Sequence, residues 1–172
     1  VAYSWSNGFP QDALDVYARR AFEFASTGDE KSQTLFLERI SVEIESDALK
    51  RKEFERWASE KGIENYKTFY HHEAHALSAS LLSPFDKCVC LTADGRGDFE
   101  AITAWAFDRS NNEPLKKLYS SPSCDSLGFF YGRITGLLGF KPCRHEGKIT
   151  GLAANGDPQK AINLMRKMID FK

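Results

Sequence analysis

The segment KCVCLTAD, residues 87–94, constrains the fold most, because it is a short apolar run that ends at the glycine-rich sequence DGRGD. It is apolar on both alternating faces, which is typical of a strand buried in the middle of a sheet. Two further strand patterns, FEAITAWAFD and PLKKLYSS, follow and are joined by RSNNEP, a loop with hairpin chemistry. The chain is therefore predicted to build its core around a sheet in which residues 87–94 form a central strand.

Helical patterns surround these strands. An amphipathic helix is predicted from Gln11 to the break STGD, and residues 30–61 predict one or two charged peripheral helices that end near Gly62. Further predicted elements are the short strands VAYSW and YKTFY, the turn SNGFP, and the helices HEAHALSASLL, SLGFFYGRITGLLG and QKAINLMRKMIDF. At 172 residues, this alternation predicts one compact α/β domain with helices flanking a mixed sheet.

Charge and hydropathy limit the partners that we expect. The formal net charge of −1 gives no general attraction to nucleic acid or to an anionic membrane, so we expect neither as a partner. No run of eighteen apolar residues and no signal-peptide pattern occurs, and a cytoplasmic protein is the expectation. The four cysteines form no CxxC pair and are expected to be buried free thiols.

Three histidines and a glutamate lie within HHEAH, residues 71–75, at the start of a predicted helix. Neither zinc-protease pattern, H-E-x-x-H or H-x-x-E-H, fits this register. His71 and His75 lie four residues apart and share one helix face, while His72 points about 100° away. Asp94, at the end of the predicted strand, is the candidate third ligand of an iron(II), manganese or zinc site. The alternative is that both histidines are ordinary surface residues at a helix start.

Two glycine-containing segments are candidate phosphate sites. In DGRGD, Gly95 and Gly97 permit positive φ, and Arg96 can pair with phosphate, so we predict that Gly95, Arg96, Gly97 and Asp98 bind a nucleotide. A tight hairpin turn is the alternative. In EGKITGLAANG, Lys148 can be aimed at a phosphate or carbonyl oxygen, which makes Lys148 and Gly151 candidate nucleotide-binding residues, and helix-packing glycines are the alternative.

Four segments, read together in their order along the chain, carry a family resemblance. They are HHEAHALSASLLSPF, LTADGRGD, SLGFFYGRITGLLGFKP and HEGKITGLAANGDP, and they cover roughly residues 66–158. This order resembles the NodU/CmcH family of O-carbamoyltransferases. The resemblance divides the chain into a variable helical region, residues 4–61, and a core with metal and nucleotide motifs, residues 62–158.

The resemblance implies an actin-like ATPase, ribonuclease H-like fold, related to the tRNA threonylcarbamoyl transferases. It also implies an enzyme for which ATP and carbamoyl phosphate yield carbamoyl-adenylate. The carbamoyl group then passes to a hydroxyl of a sugar, antibiotic or other small metabolite. The implied partner is an adenylate-forming domain in the same full-length chain.

The resemblance further implies which residues hold the family's metal, commonly iron(II). The family uses an H-x-x-x-H pair and the aspartate of a D-G-R-G-[DE] loop, which correspond here to His71, His75 and Asp94. A further family aspartate would follow Lys172, and the first strands would precede Val1. The chain is thus expected to be an internal fragment that contains an incomplete domain and is inactive alone. No catalytic base is assigned.

Two other functions stay open at this point. One is a non-catalytic metal- or nucleotide-binding module of the same fold. The other is a tRNA threonylcarbamoyl transferase-like enzyme, which shares the H-x-x-x-H pair. The near-neutral charge and the DGRGD and GKITGLAANG segments favour a small-molecule acceptor.

Overall fold

The computed structural model describes residues 2–3 and 11–169, so the predicted turn SNGFP lies outside the described residues. The described structure divides into two compact units, Val1–Gly128 and Phe129–Lys172. The residues on each side of this boundary contact mainly their own unit.

The first unit contains a helical hairpin, which we define as α1 (Gln11–Thr27) and α2 (Glu30–Glu60). Gly28, at φ 70°, ends α1 in a conformation that favours glycine. Asp29 then caps α2, since its carboxylate accepts a hydrogen bond from the Ser32 amide at 3.0 Å. The charged segment is therefore one helix, the first of the two predicted possibilities.

A Schellman motif ends α2 at the glycine where the sequence predicts the helix end. Gly62 has φ 63°, and the amide of Ile63 donates to the carbonyl of Ala58 at 2.8 Å. The short strand β2 (Lys67–Thr68) follows and pairs in parallel with β1 (Ala2–Tyr3). Of the predicted strand YKTFY only Lys67 and Thr68 form a strand, and of the predicted strand VAYSW only residues 2–3 are described.

The main sheet contains three antiparallel strands in the order β3 (Lys87–Gly97), β4 (Glu100–Asp108) and β5 (Leu115–Pro122). Helix α3 (His71–Leu82) packs on one face of this sheet through its buried stripe His72, Ala76 and Ser80. The predicted strands and hairpin loop are confirmed.

The predicted central position of residues 87–94 is wrong within the described part of the chain. β3 is the edge strand of the three-stranded sheet, and β4 is the middle one. Val89 and Leu91 are 64% and 73% exposed, because they point away from α3, toward the face that no described element covers.

The β3–β4 connection is a two-residue turn made by Asp98 and Phe99, since Gly97 pairs with Glu100. Asp98 and Phe99 have φ 49° and 69°, whereas Gly95 and Gly97, which permit positive φ, do not adopt it. Left-handed backbone at such residues costs on the order of 1–3 kcal/mol. Phe99 is only 4% exposed and packs with Tyr17 and Phe36 of the helical hairpin, a burial that contributes about 1.5–3 kcal/mol. Core packing therefore offsets the strain of the turn.

The chain continues from β5 through a 3₁₀ turn (Ser123–Asp125) into α4 (Leu127–Leu137). The second unit also contains α5 (Glu146–Ala153), a 3₁₀ turn (Pro158–Lys160) and α6 (Ile162–Arg166). The final helix starts later than predicted. Residues Pro158–Lys160 form a 3₁₀ turn, and Ala161, at φ −120°, separates this turn from α6.

Two other sequence-based expectations meet the structure here. All four cysteines are free, but Cys143 is exposed and the other three are only partly buried. Among the described residues, no helix is both long and apolar enough to cross a membrane.

Candidate metal centre

His71 and His75 form the helical half of the site. They occupy the first turns of α3, and their spacing of four residues puts both rings on one face. The two Nε2 atoms lie 3.0 Å apart, and the ring planes are nearly perpendicular. The helix therefore delivers two imidazole nitrogens to one point.

Asp94 supplies the third group because of an irregularity in β3. The four-residue step from Ala93 to Gly97 lies opposite the two-residue step from Ile102 to Glu100, so β3 carries extra residues there. Such bulges bend a strand and redirect its side chains. Asp94 Oδ2 lies 3.1 Å from His71 Nε2 and 3.7 Å from His75 Nε2.

The three donor atoms fit a divalent transition metal. All lie within 4.8 Å of one another. Metal bonds to imidazole nitrogen or carboxylate oxygen are about 2.0–2.2 Å long, so neighbouring donors on one ion lie about 3 Å apart. The side chains of His75 and Asp94 are 55% and 45% exposed, which leaves the open side accessible to solvent and substrate. Two histidines and one carboxylate with open positions are the donor set typical of iron(II), manganese or zinc.

The carboxylate of Asp94 is held in its ionised form. Partial burial raises the pKa of Asp94, but hydrogen bonds with His71 and the Gly95 amide, together with the charge of His71, bring it below its ordinary value. The Gly95 amide donates to Oδ1 at 2.6 Å, so Oδ2 is the oxygen that faces the histidines. A deprotonated carboxylate is the form that binds a metal.

Asp98 connects the turn to the helix that carries the histidines. Tyr70, the N-cap of α3, makes no capping side-chain hydrogen bond, and Asp98 Oδ2 instead accepts the His71 amide at 2.6 Å. An anion at a helix N-terminus is favoured by the unpaired amides and the helix dipole. This bond fixes the start of α3 against the hairpin that contains Asp94, and Asp98 itself is buried.

The other loop residues predicted to bind a nucleotide have defined places in the first unit. Gly97 lies under the ring of His71, so closely that a Cβ there would collide with the ring. Gly95 approaches Gly128, where an added Cβ would lie 3.0 Å from Gly95 Cα. Arg96 turns toward α2 and donates to Ser46 Oγ at 2.8 Å, with buried Glu43 4.0 Å away. The loop glycines thus permit close packing, and Arg96 holds the loop against α2.

Lys148 and Gly151 belong to the second unit, where both are exposed residues of α5. Within that unit, the hydroxyls of Tyr131 and Thr150 lie 2.9 Å apart and link α4 to α5. Glu146 accepts the Cys143 amide at 2.6 Å, which shapes the loop that leads into α5.

The sequence did not reveal the roles of Asp98, Glu43 and Ser46. Asp98 caps a helix that begins 27 residues earlier, and Ser46 contacts Arg96 across 50 residues of chain. No local pattern signals such contacts. The acidic residue of the DGRGD loop was visible as a candidate, but only the folded hairpin gives it a partner.

A known protein family matches most of this chain. The model of the family described as "Carbamoyltransferase N-terminus" matches residues 17–170. The chain is 38% identical over 101 residues to the nodulation protein NolNO of Sinorhizobium fredii, across 59% of this chain and 14% of that protein. It is 36% identical over 101 residues to the nodulation protein NolO of Bradyrhizobium diazoefficiens, across 59% of this chain and 18% of that protein.

An archaeal relative is similar over the same extent. The uncharacterized protein MJ1051 of Methanocaldococcus jannaschii is 36% identical over 105 residues, across 61% of this chain and 19% of that protein. The matched part of the chain thus corresponds to less than a fifth of the length of each of these relatives. Because the family model covers most of the chain, the chain belongs to the carbamoyltransferase N-terminus family.

Proposed function

We propose that this chain is the metal-binding part of an O-carbamoyltransferase that moves a carbamoyl group from carbamoyl-adenylate to a hydroxyl of a small metabolite. The observation that carries the proposal is the convergence of His71, His75 and Asp94 in a chain of this family. The antiparallel β3–β4–β5 sheet, followed by a helix, is compatible with the ribonuclease H-like, actin-like domain that we propose for the complete enzyme.

The proposed reaction exchanges one acyl bond for another. The acceptor oxygen attacks the carbamoyl carbon, the bond from that carbon to the adenylate phosphate oxygen breaks, and AMP leaves while the hydroxyl proton is lost. Iron(II) or another bound divalent ion would supply positive charge and a fixed template for the phosphate oxygens. ATP and carbamoyl phosphate would be the substrates, and an adenylate-forming domain of the full-length chain would make the carbamoyl-adenylate.

The chain's own residues prepare this site in three ways. His71, His75 and Asp94 would hold the ion, and the exposed side of the cluster would admit the adenylate. Asp98 holds the start of α3 in place, and Arg96 holds the loop against α2 through its hydrogen bond to Ser46. Donors that are held in place in this way can bind the ion without rearrangement.

The reaction is tested with the full-length protein loaded with iron(II) and supplied with ATP, carbamoyl phosphate and a panel of sugars and other alcohols. We expect acceptor-dependent release of AMP and a product heavier by one carbamoyl group, detected by mass spectrometry. Absence of both carbamoyl-adenylate and product over a broad panel would instead indicate a binding module without chemistry. If tRNA is modified in a parallel reaction and none of the alcohols is, the result would indicate a tRNA threonylcarbamoyl transferase-like enzyme.

The metal assignment is tested separately by elemental analysis of the full-length protein. The double substitution His71→Ala and His75→Ala should remove most of the bound iron, because it deletes two of the three donors. Glu73→Gln is the matched control, since it changes the same helical turn outside the donor cluster, and it should retain the metal. An unchanged iron content in the double variant would contradict the assignment.

A further inference from the structure

The third histidine of the cluster, His72, is fully buried and lies outside the proposed donor set. Its Nδ1 lies 2.7 Å from the hydroxyl of Thr92, and its Nε2 lies 3.1 Å from the carbonyl oxygen of Glu100. The Thr92 hydroxyl lies 2.6 Å from that of Thr103, which accepts the indole N–H of Trp105 at 2.5 Å. We call Trp105, Thr103, Thr92 and His72 the hydrogen-bonded chain.

The two ends of the hydrogen-bonded chain fix its direction. An indole N–H only donates and a carbonyl oxygen only accepts. Thr103 therefore accepts from Trp105 and donates to Thr92, which donates to His72 Nδ1, and His72 Nε2–H donates to the carbonyl of Glu100. In this arrangement each hydroxyl donates once and accepts once, and His72 carries its proton on Nε2.

The hydrogen-bonded chain joins the two elements that carry the proposed metal ligands. His72 lies on α3 next to His71, and Thr92 lies on β3, two residues before Asp94. A helical side chain reaches about 5–6 Å from the helix axis, so a rotation of about 20° moves its tip by about 2 Å. A shift of that size would move both nitrogens relative to Asp94 Oδ2, which now lies 3.1 Å from His71 Nε2 and 3.7 Å from His75 Nε2.

We infer that His72 is a positioning residue, which fixes the rotation of α3 against β3 through Thr92 and so places His71 and His75 opposite Asp94. The inference rests on the proposed metal centre and adds hydrogen bonds that hold its ligand-bearing helix and strand together. His72 holds no metal itself, because both of its nitrogens are engaged within the fold. Outer hydrogen bonds that orient metal ligands typically change metal affinity by 10–100-fold when they are removed.

The test measures cobalt(II) binding to the intact protein by its visible absorption, together with thermal stability. Thr92→Val keeps the shape of the side chain but removes its hydroxyl, and it should weaken cobalt(II) binding about tenfold or more and alter the absorption spectrum. Thr92→Ser keeps the hydroxyl and should restore binding to within about threefold of the original protein. Should Thr92→Val yield no folded protein, Thr103→Val interrupts the hydrogen-bonded chain one link away and should also weaken binding.

A control on the same helix separates positioning from general destabilisation. Ala76→Gly changes the buried stripe of α3 that includes His72 and lowers helix stability, but it leaves the hydrogen-bonded chain intact. It should lower the melting temperature while cobalt(II) affinity stays within about twofold. The inference would be overturned if Ala76→Gly and Thr92→Val lost the same stability and also lost the same affinity for cobalt(II).

The outcomes also separate this inference from the metal assignment. If the original protein binds cobalt(II) and Thr92→Val binds it equally well, the positioning role of His72 is wrong and the metal centre stands. If the original protein binds no cobalt(II), the proposed metal centre fails, and the inference fails with it.

Discussion

At the scale of single residues, Asp98 combines an unfavourable backbone with a favourable contact. Its φ of 49° is one that Asp and Asn tolerate better than most residues, and its buried carboxylate accepts the first amide of α3. The contact stabilises the helix start and ties it to the turn after Asp94. Asp98 therefore affects both stability and the geometry of the donor cluster.

The roles of Asp98 predict a difference between two substitutions. Asp98→Ala removes the acceptor from a buried amide and should cost about 2 kcal/mol of the free energy of unfolding. Asp98→Asn keeps an acceptor oxygen and the tolerated backbone, so it should cost at least about 1 kcal/mol less. Urea denaturation measures both, and equal losses would show that the contact with the His71 amide contributes nothing.

Gly97 lies against the ring of His71, which predicts the effect of adding one methyl group. Gly97→Ala forces the ring to move, so iron binding should fall and the free energy of unfolding should drop by about 1–3 kcal/mol. Gly147→Ala is the matched control, because an added Cβ there meets no atom within 4 Å and α5 gains a better helix former. Full iron content with undiminished stability in Gly97→Ala would contradict the close contact between Gly97 and His71.

Helical spacing and the position at a strand end predicted His71, His75 and Asp94 as candidate ligands, because both are local features, and the family resemblance implied the same three residues. The sequence could not show that positive φ falls on Asp98 and Phe99 and not on the glycines of the loop. That choice depends on Phe99 packing against Tyr17 and Phe36, which are distant in the chain. It also could not show that Arg96 turns toward α2.

At the scale of elements, the helical hairpin supports the strained turn and the loop of the donor cluster. Glu43 of α2 is fully buried, and its Oε2 accepts hydrogen bonds from the hydroxyls of Tyr17 and Ser123. Arg39 pairs with the other oxygen of Glu43 at 2.7 Å. One buried carboxylate thus joins α1, α2 and the turn after β5, and its partners offset the cost of burying its charge.

The Tyr17 hydroxyl predicts a pH dependence of stability at high pH. Burial, followed by the negative charge of Glu43, raises the pKa of Tyr17 above its ordinary value of 10.0. The contribution of Tyr17 to the free energy of unfolding is therefore complete below about pH 10. It is lost at higher pH, because the unfolded chain releases the hydroxyl proton of Tyr17 before the folded chain does. Tyr17→Phe should reduce the fall in melting temperature between pH 9 and pH 11. If the melting temperature falls equally with pH in the original protein and in Tyr17→Phe, the stabilising role of the buried hydroxyl is wrong.

Most elements could be predicted because their signals are local: helical periodicity in α1 to α4, the glycine after α2, and the hairpin loop between β4 and β5. The position of β3 at the edge of the described sheet could not be predicted, because the order of strands depends on pairings that the periodicity of one strand does not contain. The shortening of α6 depends on the conformation of Ala161, and alanine is not a residue that signals a helix break.

At the scale of the whole molecule, the chain is a mixed α/β member of the carbamoyltransferase N-terminus family. The resemblance was visible from four ordered motifs, and the division into two units at Gly128 was not. A boundary inside a glycine-containing helical pattern leaves no break in periodicity. The matched relatives are at least five times longer than the aligned segment.

The most direct test of the metal centre is anomalous diffraction at the iron edge from crystals of the full-length protein loaded with iron(II). We expect one strong peak about 2.0–2.2 Å from His71 Nε2, His75 Nε2 and a carboxylate oxygen of Asp94. Iron bound elsewhere, or an Asp94 side chain turned away from the two imidazoles, would contradict the proposed centre.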